Sequence, residues 1–285
     1  MTVLAGWFLI AALAAPGNHA SEIHSWRAAR EARLRAGDGW LTVAGLFWLT
    51  EGINTAGSAP VNRIVLPSTA PGRLGSFEHH AGKTVFVAER GARVTANGKP
   101  VQRLAMRPDT AGSPEVLEAG SLSMFVIQRG KRYGIRLRDT NSKFRREFAG
   151  LTWFPVNETY RVSARWVPYD PPRKIPVPNV LGETEMETSP GYAVFRLGGR
   201  NCRLEPVIEE GRLFIIFRDL TTGKETYPAG RFLYAEAPRD GRIVLNFNKA
   251  YNPPCAFTPY ATCPLPPKQN HLTVRIPAGE KTYHH

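Results

Sequence analysis

The sequence predicts a mainly β protein, an antiparallel sandwich- or barrel-like fold with one N-terminal helix, open to division into two packed β subdomains. Three observations predict it. Short runs rich in Val, Ile, Phe and Tyr recur from Arg63 onward, separated by glycine-containing turns. The 26 glycines and 24 prolines suit many short strands and tight turns. Helices between the strands, which a parallel α/β fold requires, are missing from the pattern.

The elements follow in order. A chain of 285 residues can hold one large or two medium domains. From Val3 to Ala15 it is apolar and uncharged, then Pro16 and Gly17 break the run. Spanning a bilayer takes about 20 apolar residues. The run therefore reads as a secretory signal cleaved after Ala14 or Ala20, although no Lys or Arg precedes it. Cleavage would leave a periplasmic or secreted protein with no stable membrane anchor. Ser21 then caps a helix that carries Ile23, Trp26, Ala29 or Arg30, and Leu34 at helical spacing, with Gly37 as its stop. "GWLTVAGLFWLTEGINTAGS" reads as a short helix or a strand pair.

Beyond it the pattern is β. "GSFEHHAGKTVFVAE", "ARVTANGKPV" and "GSLSMFVIQRGKRYGIRLRD" form hairpins, and Asn97-Gly98 is the strongest turn signal among them. "ETYRVSARWVPY" alternates, "PYDPPRKIPVP" reads as a crossing between halves, and "RLFIIFRD" is apolar on both faces, as a central strand should be. The expected organisation is a signal over 1–20, helix and packing segment over 21–60, and β subdomains over 61–150 and 151–285. The second subdomain ends in a loop rich in proline and cysteine.

Charge narrows the partners. Thirty-seven Lys and Arg against 24 Asp and Glu give +13, which attracts anions. No zinc finger, basic zipper or aromatic RNA-binding signature is present, so a small anionic or polar molecule is expected rather than nucleic acid. No Walker loop, G-x-S-x-G elbow, H-E-x-x-H helix or dinucleotide fingerprint is present either, and no cofactor is expected.

Three constellations could carry chemistry. In "QRGKRYGIRLRD", Arg132, Arg136 and Arg138 share one strand face, and guanidiniums suit bidentate capture of carboxylate or phosphate. In "FRDLTTGKETYPAGRFL", Asp219, Glu225, Tyr227 and Arg231 cluster about one hairpin. Near the C-terminus, Asn246 and Asn248 alternate ahead of a rigid segment containing Asn252. The leading reading is a binder in which Arg136, Arg138 and Arg231 meet an anion while Tyr227, Asn246, Asn248 and Asn252 orient it. The competing readings are a hydrolase, with Asp219 or Glu225 as base and Tyr227 and Arg231 stabilising developing charge, and a structural envelope protein.

Cys255 and Cys263, eight positions apart, suit a loop disulfide worth roughly 2.5 kcal/mol, with Cys202 left over. Buried free thiols, or a nucleophile served by His271, are the other options. The spacing is not that of common zinc sites, the histidines form no ligand pattern, and no metal is expected.

Together "GWLTVAGLFWLTEGINTAGS", "RGKRYGIRLRD", "FAGLTWFPVNETYRV", "FRDLTTGKETYPAGRFL" and "NFNKAYNPPCAFTPYATCPLPPKQNHLTVRIPAGEK" resemble the family catalogued as domain of unknown function 1684, from about Trp26 to Tyr283. The resemblance implies no particular activity. It does imply an aspartate before "FN", where this chain has Asn246.

Overall fold

The computed structural model describes residues 19–284, so the expected signal lies outside the described residues. The N-terminal helix runs His19–Arg35 and starts two residues before Ser21, which is therefore not its cap. Its apolar stripe is narrow, with Ile23 and Leu34 fully buried. Polar side chains complete the docking. Arg27 donates to the Phe154 carbonyl at 2.9 Å, Arg30 donates to the Asn252 carbonyl at 3.0 Å, and Glu31 accepts from the Leu151 amide at 3.1 Å. None of the described helices is long and apolar enough to cross a membrane.

The ambiguous segment after the helix becomes a short 3-10 turn, Trp40–Thr42, and two strands, Val43–Trp48 and Gly52–Gly57. Two sheets build this half. One has six strands, in the order Val43–Trp48, Arg132–Asp139, Leu122–Arg129, Leu117–Ala119, Thr95–Ala96 and Lys99–Pro100. The other has five: Ile64–Val65, Gly52–Gly57, Gly75–His80, Lys83–Ala88 and Arg103–Met106. Alternate residues of both meet in one apolar cluster that includes Phe77, Phe86, Met124, Ile135 and Leu137. Asn97 and Gly98 close their hairpin with φ of 51° and 71°, the positive values that a two-residue hairpin turn requires.

The second half has a four-stranded sheet, in the order Arg200–Leu204, Thr184–Leu197, Arg161–Pro178 and Arg242–Asn246. Beside it lies a three-stranded sheet of Val207–Glu209, Arg212–Phe217 and Arg231–Ala235. The proline-rich run expected as a crossing is instead the outer part of the long strand Arg161–Pro178. There it pairs on one side only, with Thr184–Leu197, so the proline nitrogens remove no bond from a second neighbour. Arg212–Phe217 is a middle strand, as its sequence suggests. Leu213, Ile215 and Phe217 enter one cluster with Leu233, Leu245 and Phe247, while Phe214 and Ile216 enter another on the opposite face.

The C-terminal segment has little regular structure yet is firmly held. Asn270 donates to the carbonyls of Glu205 and Ile216 at 2.9 Å each and accepts from the Glu205 amide at 2.7 Å. Thr258 donates to the Val43 carbonyl at 2.9 Å and so ties this segment to the first half of the chain. Phe257 beneath it is fully buried.

Candidate functional site

The residues expected to catalyse are each engaged separately. Asp219 is buried and its carboxylate is fully used. It accepts from Arg231 at 3.0 Å, from the Ile276 amide at 2.9 Å, from the Thr221 amide at 2.9 Å and from the Thr221 hydroxyl. Arg231 is 1% exposed and also donates to the carbonyls of Ile276 and Ala278, so it stitches the C-terminal segment to the core rather than facing a ligand. Burial pulls its pKa down against the pull of Asp219. Glu225 lies at the surface in a bidentate pair with Arg275, at 2.7 and 3.0 Å. Tyr227 donates to the Cys255 carbonyl at 3.0 Å. Asp219, expected as a base, is buried here and holds four donors, among them its ion-pair partner Arg231.

The expected ligand-binding residues also separate. Asn248 is fully buried and clasps the backbone of Asn157, accepting from its amide at 3.0 Å and donating to its carbonyl at 2.9 Å. Asn252 is buried and donates to the Lys281 carbonyl at 2.7 Å. Both side chains, expected to orient a ligand, hold backbone groups in this structure. Arg136 and Arg138 do share a strand face, but aromatic rings cover it: Arg136 lies over Trp40 at 5.2 Å and Arg138 over Phe125 at 4.8 Å. Of the predicted set, Asn246 lines an open cavity. Cys255 and Cys263, expected to be bonded, are free thiols in this structure, as is Cys202. Among the described residues no group of three or more His, Cys, Asp or Glu side chains is placed to hold a metal.

The cavity beside Asn246 is a groove of about 640 Å³ between the N-terminal helix and the strands Arg231–Ala235 and Arg242–Asn246. Arg161, Arg212, Arg239, Arg242 and Lys249 reach it, with Glu22 and Glu236 as its acidic members. Lys249 is paired with Glu22 at 2.5 Å, and no described carboxylate forms an ion pair with any of the four arginines. Arg242 is spent on Ser163, donating to its hydroxyl at 2.8 Å and its carbonyl at 2.7 Å. Arg212 lies over the Tyr234 ring at 4.0 Å. The aromatic wall is Trp26, Tyr234 and Tyr251, the two tyrosine rings 16° from parallel with centroids 6.3 Å apart. Tyr234 donates to Glu209, and burial followed by that bond pushes its pKa up. Burial likewise raises Tyr251, so both phenols stay neutral donors.

Register explains the assembly. Arg161 stands opposite Asn246, and Arg165 opposite Arg242, on paired strands. Arg212 and Tyr234 sit on the neighbouring sheet, where Phe214 pairs with Tyr234. Trp26 comes from the helix.

The sequence profile of a family described as a protein of unknown function, DUF1684, matches residues 146–281. An uncharacterised protein of Haloarcula marismortui, solved in solution by NMR, is 34% identical over 48% of this chain and 79% of its own, with a TM-score of 0.41. The chain belongs to the DUF1684 family. The match begins at 146, well after Trp26, so the first half of the chain lies outside it. Two FHA-domain structures cover 33% of the chain at 18% and 17% identity and a TM-score of 0.23; one is of phosphothreonine-dependent FHA interactions, the other of an FhaA FHA domain in complex. At that score the likeness carries no argument. Among curated proteins none matches.

Within the DUF1684 span lie Arg161, Arg212, Arg239, Arg242, Asn246, Lys249 and both tyrosines of the groove, while Glu22 and Trp26 come from outside it. Reading the residues singly missed Arg161, Arg212, Arg239 and Arg242. The alternation of "ETYRVSARWVPY" put Arg161 and Val162 on opposite faces but did not say what Arg161 would meet.

Proposed function

We propose that the protein binds a small anion with a flat apolar part, held in the groove by arginines and stacked on its aromatic wall. One observation carries the reading: four arginines without ion-pair partners converge on three aromatic rings in one open cavity. Guanidinium groups bind carboxylate or phosphate through paired donors, and aromatic rings prefer flat partners. Arg161 and Arg239 spend no side-chain donor among the described residues, whereas Arg242 serves Ser163 and Arg212 covers Tyr234. Asn246 supports the reading as well: an amide in place of the aspartate expected of the family adds no negative charge to the groove.

The test is calorimetric titration with benzoate and phenyl phosphate, using benzyl alcohol as the neutral control. The anions are expected to bind saturably and the alcohol not. Arg161→Ala with Arg239→Ala should cost about 3 kcal/mol, roughly a 100-fold loss of affinity, because each removes a charge-assisted hydrogen bond. Added salt should weaken binding further. Equal binding of the alcohol, or no effect of the double variant, would sink the reading.

A further inference from the structure

A second cavity, of about 300 Å³, lies apart from the groove, and the proline-rich segment walls it with Pro254, Thr262 and Cys263. Its floor is apolar, with Phe214, Ile216 and Phe232, and Glu209, which accepts from Tyr234, lies at its side. Arg129 reaches it from the first half of the chain, and Glu185 and Glu187 reach it from the long hairpin. Neither glutamate forms an ion pair among the described residues, whereas Arg129 is paired with Asp109 at 2.9 Å. Cys263 lines the cavity, while Cys255 is half-buried behind Pro254 with its amide donating to Cys263 Sγ at 3.2 Å, which brings the two thiols together at the cavity's edge.

Near the thiols stands Arg136, 4% exposed, with its Nε lacking a hydrogen-bond partner among the described residues. One Nη lies 3.5 Å from Thr262 Oγ1, the same oxygen that accepts from Arg129 at 2.9 Å. No described carboxylate forms an ion pair with Arg136, although burial lowers its pKa only to about 10, so it is charged at neutral pH. A buried cation with no carboxylate partner favours an anion nearby. The Cys255 thiol is the group placed to become one: the hydrogen bond with Cys263 is the main cause that pulls its pKa below the ordinary thiol value, and Arg136 adds to it. Desolvation pushes Cys263 up, so it stays protonated.

We propose that Cys255 and Cys263 form a thiol–disulfide exchange site, with Cys255 as nucleophile, Arg136 steadying its thiolate, and the adjoining cavity seating a small zwitterionic disulfide of the cystine type. The ammonium of such a molecule suits Glu185 and Glu187, and its carboxylate suits Nη2 of Arg129, the nitrogen that Asp109 and Thr262 leave unused. The Cys255 thiolate attacks one sulfur of the substrate, forming a mixed disulfide and releasing one cysteine thiolate. Cys263 then loses its proton to that leaving thiolate or to solvent and attacks the Cys255 sulfur, which closes the protein disulfide and releases the second cysteine. Two protein thiols are oxidised and one disulfide is reduced to two thiols. The reading is independent of the anion groove.

The experiment treats the reduced full chain with cystine, alkylates the remaining thiols and follows the mass with time. The wild type is expected to end two hydrogens lighter with one alkylatable thiol, that of Cys202. Cys263→Ser should stop at the mixed disulfide, and Cys255→Ser should react at least about tenfold more slowly, since thiolate fraction and access set the rate. On the wild type itself, which needs no variant to fold, cystine should react at least about fivefold faster than neutral 2-hydroxyethyl disulfide, because its charged ends are recognised. Three alkylatable thiols remaining, equal rates for the two disulfides, or Cys255→Ser reacting as fast as Cys263→Ser would each overturn the proposal.

Discussion

Asp219→Ala is expected to cost about 3–5 kcal/mol of folding stability, because it strands a buried guanidinium. Among the described residues Arg231 is the largest fully buried side chain, and its charge is answered at 3.0 Å by Asp219. Removing the carboxylate also leaves the amides of Ile276 and Thr221 without their acceptor. Chemical denaturation followed by tryptophan fluorescence reads the loss. Asp219→Asn keeps the shape and some of the hydrogen bonds, so it should fall between Asp219→Ala and wild type. A catalytic aspartate in an open cleft would behave in the opposite way, with stability little changed and an activity lost. If Asp219→Ala unfolds at the wild-type midpoint, the pair does not hold the C-terminal segment as described.

Stability should also fall as pH rises through neutrality, and Glu280 is the reason. Its side chain is fully buried, with Arg30 Nε 3.5 Å away and no hydrogen-bond partner on either carboxylate oxygen. Burial raises its pKa from 4.5 to about 7. The folded protein thus holds this proton over a range where the unfolded chain has released it. The contribution is fully present below about pH 4.5 and is lost as pH rises through 7. A shift of that size corresponds to about 3 kcal/mol as an order of magnitude. Glu280→Gln should flatten the slope between pH 5 and 8 in unfolding experiments. A variant that keeps the wild-type slope would assign that pH dependence to other groups.

Much of the fold was legible because its signals are local. Alternation marked the strand starting at Arg161, two-sided apolarity marked Arg212–Phe217 as a middle strand, and Asn97-Gly98 marked its own turn. The proline run at 168–178 was misread because nothing in the sequence says that a strand has a neighbour on one side only. The Asp219–Arg231 pair was half legible. Arg231 opens its strand opposite Phe217 and Asp219 follows Phe217 by two residues, so the hairpin brings them together, but burial decides between a base and a core ion pair. The groove was least legible. Arg161 meets Asn246 across a register spanning 85 positions, and Trp26 joins from a helix still farther away. No spacing rule connects them; packing does.

The central claim is that an anion occupies the groove beside Trp26. The direct measurement is the set of tryptophan indole N–H signals in NMR spectra during titration with phenyl phosphate. Trp26 lines the groove, whereas Trp40 lines the separate thiol-walled cavity. A saturable shift of the Trp26 signal is expected, with Trp40 unmoved. A Trp26 signal that stays in place to saturation, or one that moves only together with Trp40, would contradict it.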